Sequence, residues 1–92
     1  MAILHMDVES VQATQAKMLS QKENLLNELT GITNQLNQTI GSAWIGNSAN
    51  EFQQSYETWR GQITQQLETL GQLAQALQTE IGEWQDMASR LG

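Results

Sequence analysis

The side chains that could perform catalysis or bind a metal are few, and their spacing matches no catalytic pattern. The chain of 92 residues has ten carboxylates but one histidine, His5, and no cysteine. Without cysteine it has no thiolate nucleophile and no cysteine-ligated zinc or iron–sulfur site. One histidine near a terminus does not make a Ser-His-Asp triad or a multi-histidine metal site. We therefore predict no catalytic residue, no metal, no cofactor and no enzyme activity.

The charge balance narrows the classes of partner. Four basic residues stand against ten acidic ones, which gives a formal net charge of −6. Nucleic-acid binding needs clustered Lys and Arg, so we expect no nucleic-acid partner. No stretch approaches the roughly 18 apolar residues of a membrane span. The segment from Met1 to Asp7 also lacks a basic region followed by an apolar one, so a conventional signal peptide is not expected.

One short motif near the middle of the chain could act in recognition, namely Trp44-Ile45-Gly46. A tryptophan in a short turn is costly to expose, so we expect Trp44 to fold back and cap the end of a helical bundle. Gly46 would then supply a positive φ or permit a close approach of the backbone. A functional interpretation stays open beside this one, in which the turn forms a surface that another protein binds.

The elements that position this motif follow from hydrophobic periodicity. Steps of three and four residues from Val8 select mostly apolar residues as far as Ala43, and the same steps from Ala49 do so as far as Leu91. The two series do not join, and the break between them contains Gly, Asn and Ser. The pattern predicts an all-α, antiparallel hairpin over residues 1–92, with helices at about 8–42 and 49–90 and a turn at 43–48.

Several local features refine this prediction. Asp7 is the expected N-cap of the first helix, and Ser48 with Glu51 matches a capping box for the second. The glycines within the helices fall at outward positions of the heptad. Lys22 lies in the apolar stripe, where it either extends its stem over the seam or pairs with Glu68 to fix the register.

The apolar stripe of each helix covers about three positions in seven, which is typical of bundles with more than two helices. We therefore expect two hairpins to form a dimeric four-helix bundle. The residues predicted to line the hairpin and dimer seams are Met18, Leu25, Leu29, Ile32, Leu36, Phe52, Tyr56, Trp59, Ile63, Leu70, Leu73, Leu77 and Trp84.

A helical hairpin with Trp-x-Gly at its midpoint resembles the Trp-Xaa-Gly family of small, early-secreted-antigen-like substrates of type VII secretion. Trp44 and Gly46 match the family's turn residues and Ile45 its variable position. The resemblance implies a non-enzymatic hairpin that dimerises with itself or with a related protein. It also implies export in the folded state by a membrane ATPase of the FtsK/SpoIIIE type, with only transient membrane contact. The family's frequent Tyr-x-x-x-Asp/Glu tail has no match, because Tyr56 is the only tyrosine and Arg60 follows it four residues later.

The functional prediction is thus a small dimeric secreted substrate, or an export partner, that acts through protein–protein contacts. It would leave the cell without a conventional signal peptide and otherwise be cytoplasmic. The alternative is a cytoplasmic helical adaptor or a chaperone-like coiled-coil protein. A third candidate is a membrane-active helical protein, although its acidic and amide-rich polar faces are unlike those of membrane-surface helices.

Overall fold

Two antiparallel α-helices make up the fold. The structure is a computed structural model that describes residues 5–91, with α1 at Val8–Thr39 and α2 at Asn47–Leu91. The hairpin is a rod of 69 × 20 × 19 Å. The predicted all-α hairpin is confirmed. The ends of the predicted domain, residues 1–4 and 92, lie outside the described residues, as does most of the segment inspected for a signal peptide.

Asp7 caps the first helix, as the sequence predicts. Its carboxylate accepts a hydrogen bond from the Ser10 backbone amide at 3.3 Å. The same bond lowers the pKa of the Asp7 carboxyl below its ordinary value, because the backbone N–H of Ser10 stabilises the ionised form. The start of α1 is therefore fixed by one local, charge-assisted contact.

The turn between the helices covers residues 40–46, so it begins three residues before the predicted segment 43–48 and ends two residues before that segment ends. Helix α1 ends at Thr39, whose carbonyl accepts hydrogen bonds from the amides of Ala43 and Trp44, both at 3.0 Å. Gly41 allows this reversal with a φ of 98°. The early end of α1 thus reflects a glycine that leaves the helical conformation, because only glycine adopts such a φ without strain.

Helix α2 begins at Asn47, two residues before the predicted start. Gly46 directly precedes it, with a φ of 134°, and its carbonyl accepts the first helical hydrogen bond from the Asn50 amide at 3.2 Å. The predicted capping box of Ser48 and Glu51 is wrong, because Ser48 already lies in the first turn of the helix. Glycine at the cap position takes the place that the motif assigned to serine.

The core is one narrow line of contact between the two helices. The residues buried along it are Leu29, Ala49, Tyr56, Leu67, Ala74 and Ile81. In α2 these positions advance by seven residues, then by eleven, and then twice by seven. An α-helix has 3.6 residues per turn, so a strict seven-residue repeat drifts around its surface. The contact line consequently moves from one heptad position to the next along the helix.

This drift divides the predicted seam residues into three groups. Between the helices, the buried ones are Leu29 and Tyr56. Half-buried members are Met18, Leu36, Ile63, Leu70, Leu77 and Trp84. The exposed members are Leu25, Ile32, Phe52, Trp59 and Leu73. Contact between the two helices thus buries only part of the predicted apolar stripe. Residues at neighbouring heptad positions complete the contact between the helices.

One glycine lies on the buried side, contrary to the prediction that all of them face outward. Gly71 follows Leu67 by four residues and precedes Ala74 by three, so it belongs to the same line. An added Cβ at Gly71 would lie 2.7 Å from the Lys22 Nζ. Among residues 5–91, the ion pairs within 4.0 Å are Glu57–Arg60 and Asp86–Arg90. The Lys22–Glu68 pair is therefore absent there, and Lys22 crosses the backbone of α2 instead.

Candidate interaction surface

The turn holds Trp44 in a fixed backbone conformation against α2. The Trp44 amide donates to the Thr39 carbonyl at 3.0 Å, and its carbonyl accepts from the Gly41 amide at 2.9 Å. The indole packs on Phe52, with ring centroids 5.6 Å apart and an interplanar angle of 48°. Trp44 folds back as expected and still leaves 36% of its surface exposed.

The other two residues of the motif, Ile45 and Gly46, lie in the turn at one end of the rod. Ile45 is 76% exposed. Gly46 has a positive φ, and a Cβ added there would meet nothing within 4 Å. Of the two roles expected for Gly46, the structure therefore supports the conformational one and not the close approach. The turn combines an exposed aliphatic side chain with a partly exposed indole, which is a combination suited to a protein contact.

A polar contact that sequence reasoning missed joins the two helices near the turn. The Thr33 Oγ1 donates to the Leu29 carbonyl at 2.8 Å and lies 2.7 Å from the Tyr56 hydroxyl. Because the threonine proton is already engaged, the tyrosine hydroxyl donates to Thr33. The Tyr56 ring also stacks obliquely on Trp59, with centroids 5.8 Å apart. In an antiparallel hairpin that turns near Ile45, Thr33 and Tyr56 are about equally far from the turn, so this spacing could have indicated the pair.

The exposed members of the stripe lie together on one side of the rod. Leu25 and Ile32 of α1 and Trp59 and Leu70 of α2 line a groove of about 310 Å³ between the helices. Phe52 and Leu73 project from the same side of α2, since each lies seven or fourteen residues from Trp59. We call this surface the exposed apolar face; it consists of the half-buried Leu70 and the exposed Leu25, Ile32, Phe52, Trp59 and Leu73.

Charged residues border this face on α1. Lys17 lies beside Met18 and Leu70 in a neighbouring groove, and Glu28 lines the groove that contains Leu70 and Trp59. The residues described by the structure contain no cluster of His, Asp and Glu that could hold a metal ion. Neither α1 nor α2 is long and apolar enough to cross a membrane.

Fold and turn together define a class of protein: a two-helix hairpin with a Trp-x-Gly turn between its helices. The model of the family "Proteins of 100 residues with WXG" matches residues 3–89. The chain belongs to this family, which consists of small, non-enzymatic helical proteins known as secreted substrates of type VII systems. Comparisons with curated proteins and with solved structures found no match to the chain.

Proposed function

We propose that this chain is a small dimeric substrate, or an export partner, of a type VII secretion system and acts through protein–protein contacts. The observation that carries the proposal is the exposed apolar face, which runs along a hairpin whose turn is Trp44-Ile45-Gly46. Family membership supports the secretion route, and the exposed apolar face supports the presence of a second subunit.

The argument for a dimer starts from the incomplete burial of the stripe. Leu25, Ile32, Phe52, Trp59 and Leu73 are each between 42% and 55% exposed. Contiguous apolar surface of this kind is uncommon on monomers and marks interaction sites. A stable interface buries about 800 Å² on each partner, and a lengthwise face on a rod of 69 × 20 Å is large enough for that. A second hairpin on this face would complete a four-helix bundle.

The preferred second hairpin is another copy of the chain. Both helices contribute large apolar residues to the face, so the surface can be self-complementary, as a two-fold dimer requires. A related protein of the family is the other candidate partner.

The turn is the candidate site for recognition by the export machinery. Ile45 is 76% exposed in the turn, and Trp44 packs on Phe52 at the edge of the apolar face with 36% of its surface still exposed. By family resemblance, the machinery includes an ATPase of the FtsK/SpoIIIE type. Contact with the membrane would then occur only in transit.

The experiment is a comparison of extracellular and intracellular protein in cells with and without the secretion ATPase. The proposal expects extracellular protein to disappear without the ATPase while the intracellular level persists. Trp44→Ala should reduce export in the intact strain, with Asn47→Ala, at the exposed first residue of α2, as the control. An extracellular level that is the same in both strains would overturn the type VII export route.

A further inference from the structure

The open end of the rod, where α1 begins and α2 ends, holds a groove whose chemistry differs from that of the exposed apolar face. It has a volume of about 210 Å³ and is lined by Met6, Glu80, Glu83, Trp84 and Met87. The four residues of α2 follow the spacing i, i+3, i+4 and i+7, which places them on one side of the helix. Met6 joins them from the segment ahead of α1. We call this surface the acidic groove.

The acidic groove combines apolar surface with carboxylates. Met87 is 41% exposed and Trp84 is half-buried, and methionine side chains adapt to partners of different shape. Glu80 and Glu83 are both exposed, and within residues 5–91 neither forms an ion pair at 4.0 Å or less. The groove therefore offers two carboxylates beside an indole, and both kinds of group attract cations.

The negative charge of the chain is concentrated at this end of the rod. The charged residues there are five carboxylates and one cation, namely Asp7, Glu9, Glu80, Glu83, Asp86 and Arg90. Together they account for four of the six net negative charges of the chain. Such a local excess favours the approach of a positively charged partner.

A second copy of this chain does not have the chemistry that the acidic groove fits. The chain has four basic residues, and no two of them are closer than five positions: Lys17, Lys22, Arg60 and Arg90. The two arginines already pair with carboxylates of their own helix. The chain thus has no basic segment with which to fill the groove of another copy. Nucleic acid and anionic membrane surfaces are repelled by the same carboxylates.

We propose that the acidic groove binds a basic segment of a different protein, in which an apolar side chain is flanked by lysine or arginine. The apolar side chain packs on Trp84 and Met87, and its cationic neighbours bind the carboxylates of Glu80 and Glu83. Both contacts are needed, because exposed ion pairs alone contribute little to affinity. The groove forms within one hairpin, so this inference holds whether or not the chain is a secreted dimer.

The test is isothermal titration calorimetry of the full chain with a short synthetic peptide, in which two leucines are flanked on both sides by lysine and arginine. We expect binding that weakens as the salt is raised from about 0.1 M to about 1 M, because salt screens exposed ion pairs. A peptide with serines in place of the leucines should bind at least about tenfold more weakly. A peptide with glutamates in place of the basic residues should not bind.

Substitutions in the chain locate the binding site. The double variant E80Q/E83Q removes both carboxylates of the groove and should raise the dissociation constant about tenfold. E23Q/E68Q is the matched control, since it makes the same charge change at two exposed positions in the middle of the rod, and it should leave the constant nearly unchanged. Met87→Ser should weaken binding of the leucine peptide and leave that of the serine peptide as it is. Circular dichroism verifies that the helices of each variant are intact.

The outcomes separate the groove from the general acidity of the chain. Equal weakening by the two double variants would assign the binding to overall charge and overturn the proposal. Leucine and serine peptides of equal affinity would overturn the apolar contact and with it the proposed partner. A wild type that does not bind the leucine peptide at millimolar concentration would overturn the site itself. None of these results bears on export, which the comparison of strains measures separately.

Discussion

The Tyr56 hydroxyl lies 2.7 Å from the Thr33 Oγ1 and links two helices at positions 23 residues apart in the chain. Tyr56 is only 9% exposed, so its hydroxyl has little access to water and depends on this partner. The pair lies in the half of the seam nearer the turn, where it fixes the register between the two helices.

Removal of the Tyr56 hydroxyl should destabilise the hairpin. We expect Tyr56→Phe to lower the free energy of unfolding by about 1 kcal/mol, because the Thr33 oxygen loses its donor. Thr33→Val should cost a similar amount. The two should be coupled by about 0.5 kcal/mol or more in a double-mutant cycle followed by chemical denaturation. Thr30→Val is the control, since Thr30 bonds only to the Leu26 carbonyl. A coupling near zero would show that the contact does not contribute to stability.

The sequence predicted the hairpin because its signals are local and repeated. Apolar spacing and the Asp7 cap both act within a few residues. The heptad pattern could not predict which residues of the stripe are buried and which are exposed. That depends on how the contact line between the two helices drifts around each helix. Leu67 and Ala74 are buried for this reason while Trp59 stays exposed. The capping box failed because Gly46 provides the positive φ that ends the turn, and sequence patterns do not rank these two alternatives.

A methyl group at Gly46 should strain the turn. Gly46→Ala places a side chain at a φ of 134°, and we expect it to reduce the free energy of unfolding by about 1–3 kcal/mol. Gly31→Ala is the matched control, since Gly31 lies in α1 and its added Cβ meets nothing within 4 Å. That variant should be stabilised by up to about 1 kcal/mol. Thermal unfolding of the two variants should therefore shift in opposite directions, and a shared direction would contradict the assignment of the strain to Gly46.

Substitution of Gly71 should reveal the contact with Lys22. Gly71→Ala gains helix propensity but must displace the Lys22 Nζ, which would lie 2.7 Å from the new Cβ. Gly61→Ala has no such neighbour and should stabilise the protein by about 1 kcal/mol. We expect the gain at Gly71 to be smaller than at Gly61 and to rise to the same value in a Lys22→Ala background. Equal gains in the wild-type background would mean that Lys22 does not lie across α2.

The Asp7 cap should give the hairpin a defined dependence on acid. The folded-state pKa of Asp7 lies below its ordinary value of 3.8, so the cap stabilises the fold fully above that pH. The contribution should be lost as the pH falls through the lower, folded-state pKa. Asp7→Asn keeps a capping oxygen without a titrating group, and the difference in thermal midpoint between it and the wild type should shrink on acidification. A difference that stays constant across the acid range would show that titration of Asp7 does not cause the acid dependence of stability.

The central claim is that the exposed apolar face is covered by a second hairpin. The most direct measurement is the molar mass in solution of the chain expressed alone, by light scattering across a range of concentrations. The claim predicts a folded species of twice the chain mass of 10.3 kDa, which Trp59→Glu converts to monomer and Thr58→Glu, one residue away at an exposed position, does not. A folded, monodisperse wild-type species of 10.3 kDa at all concentrations would contradict it.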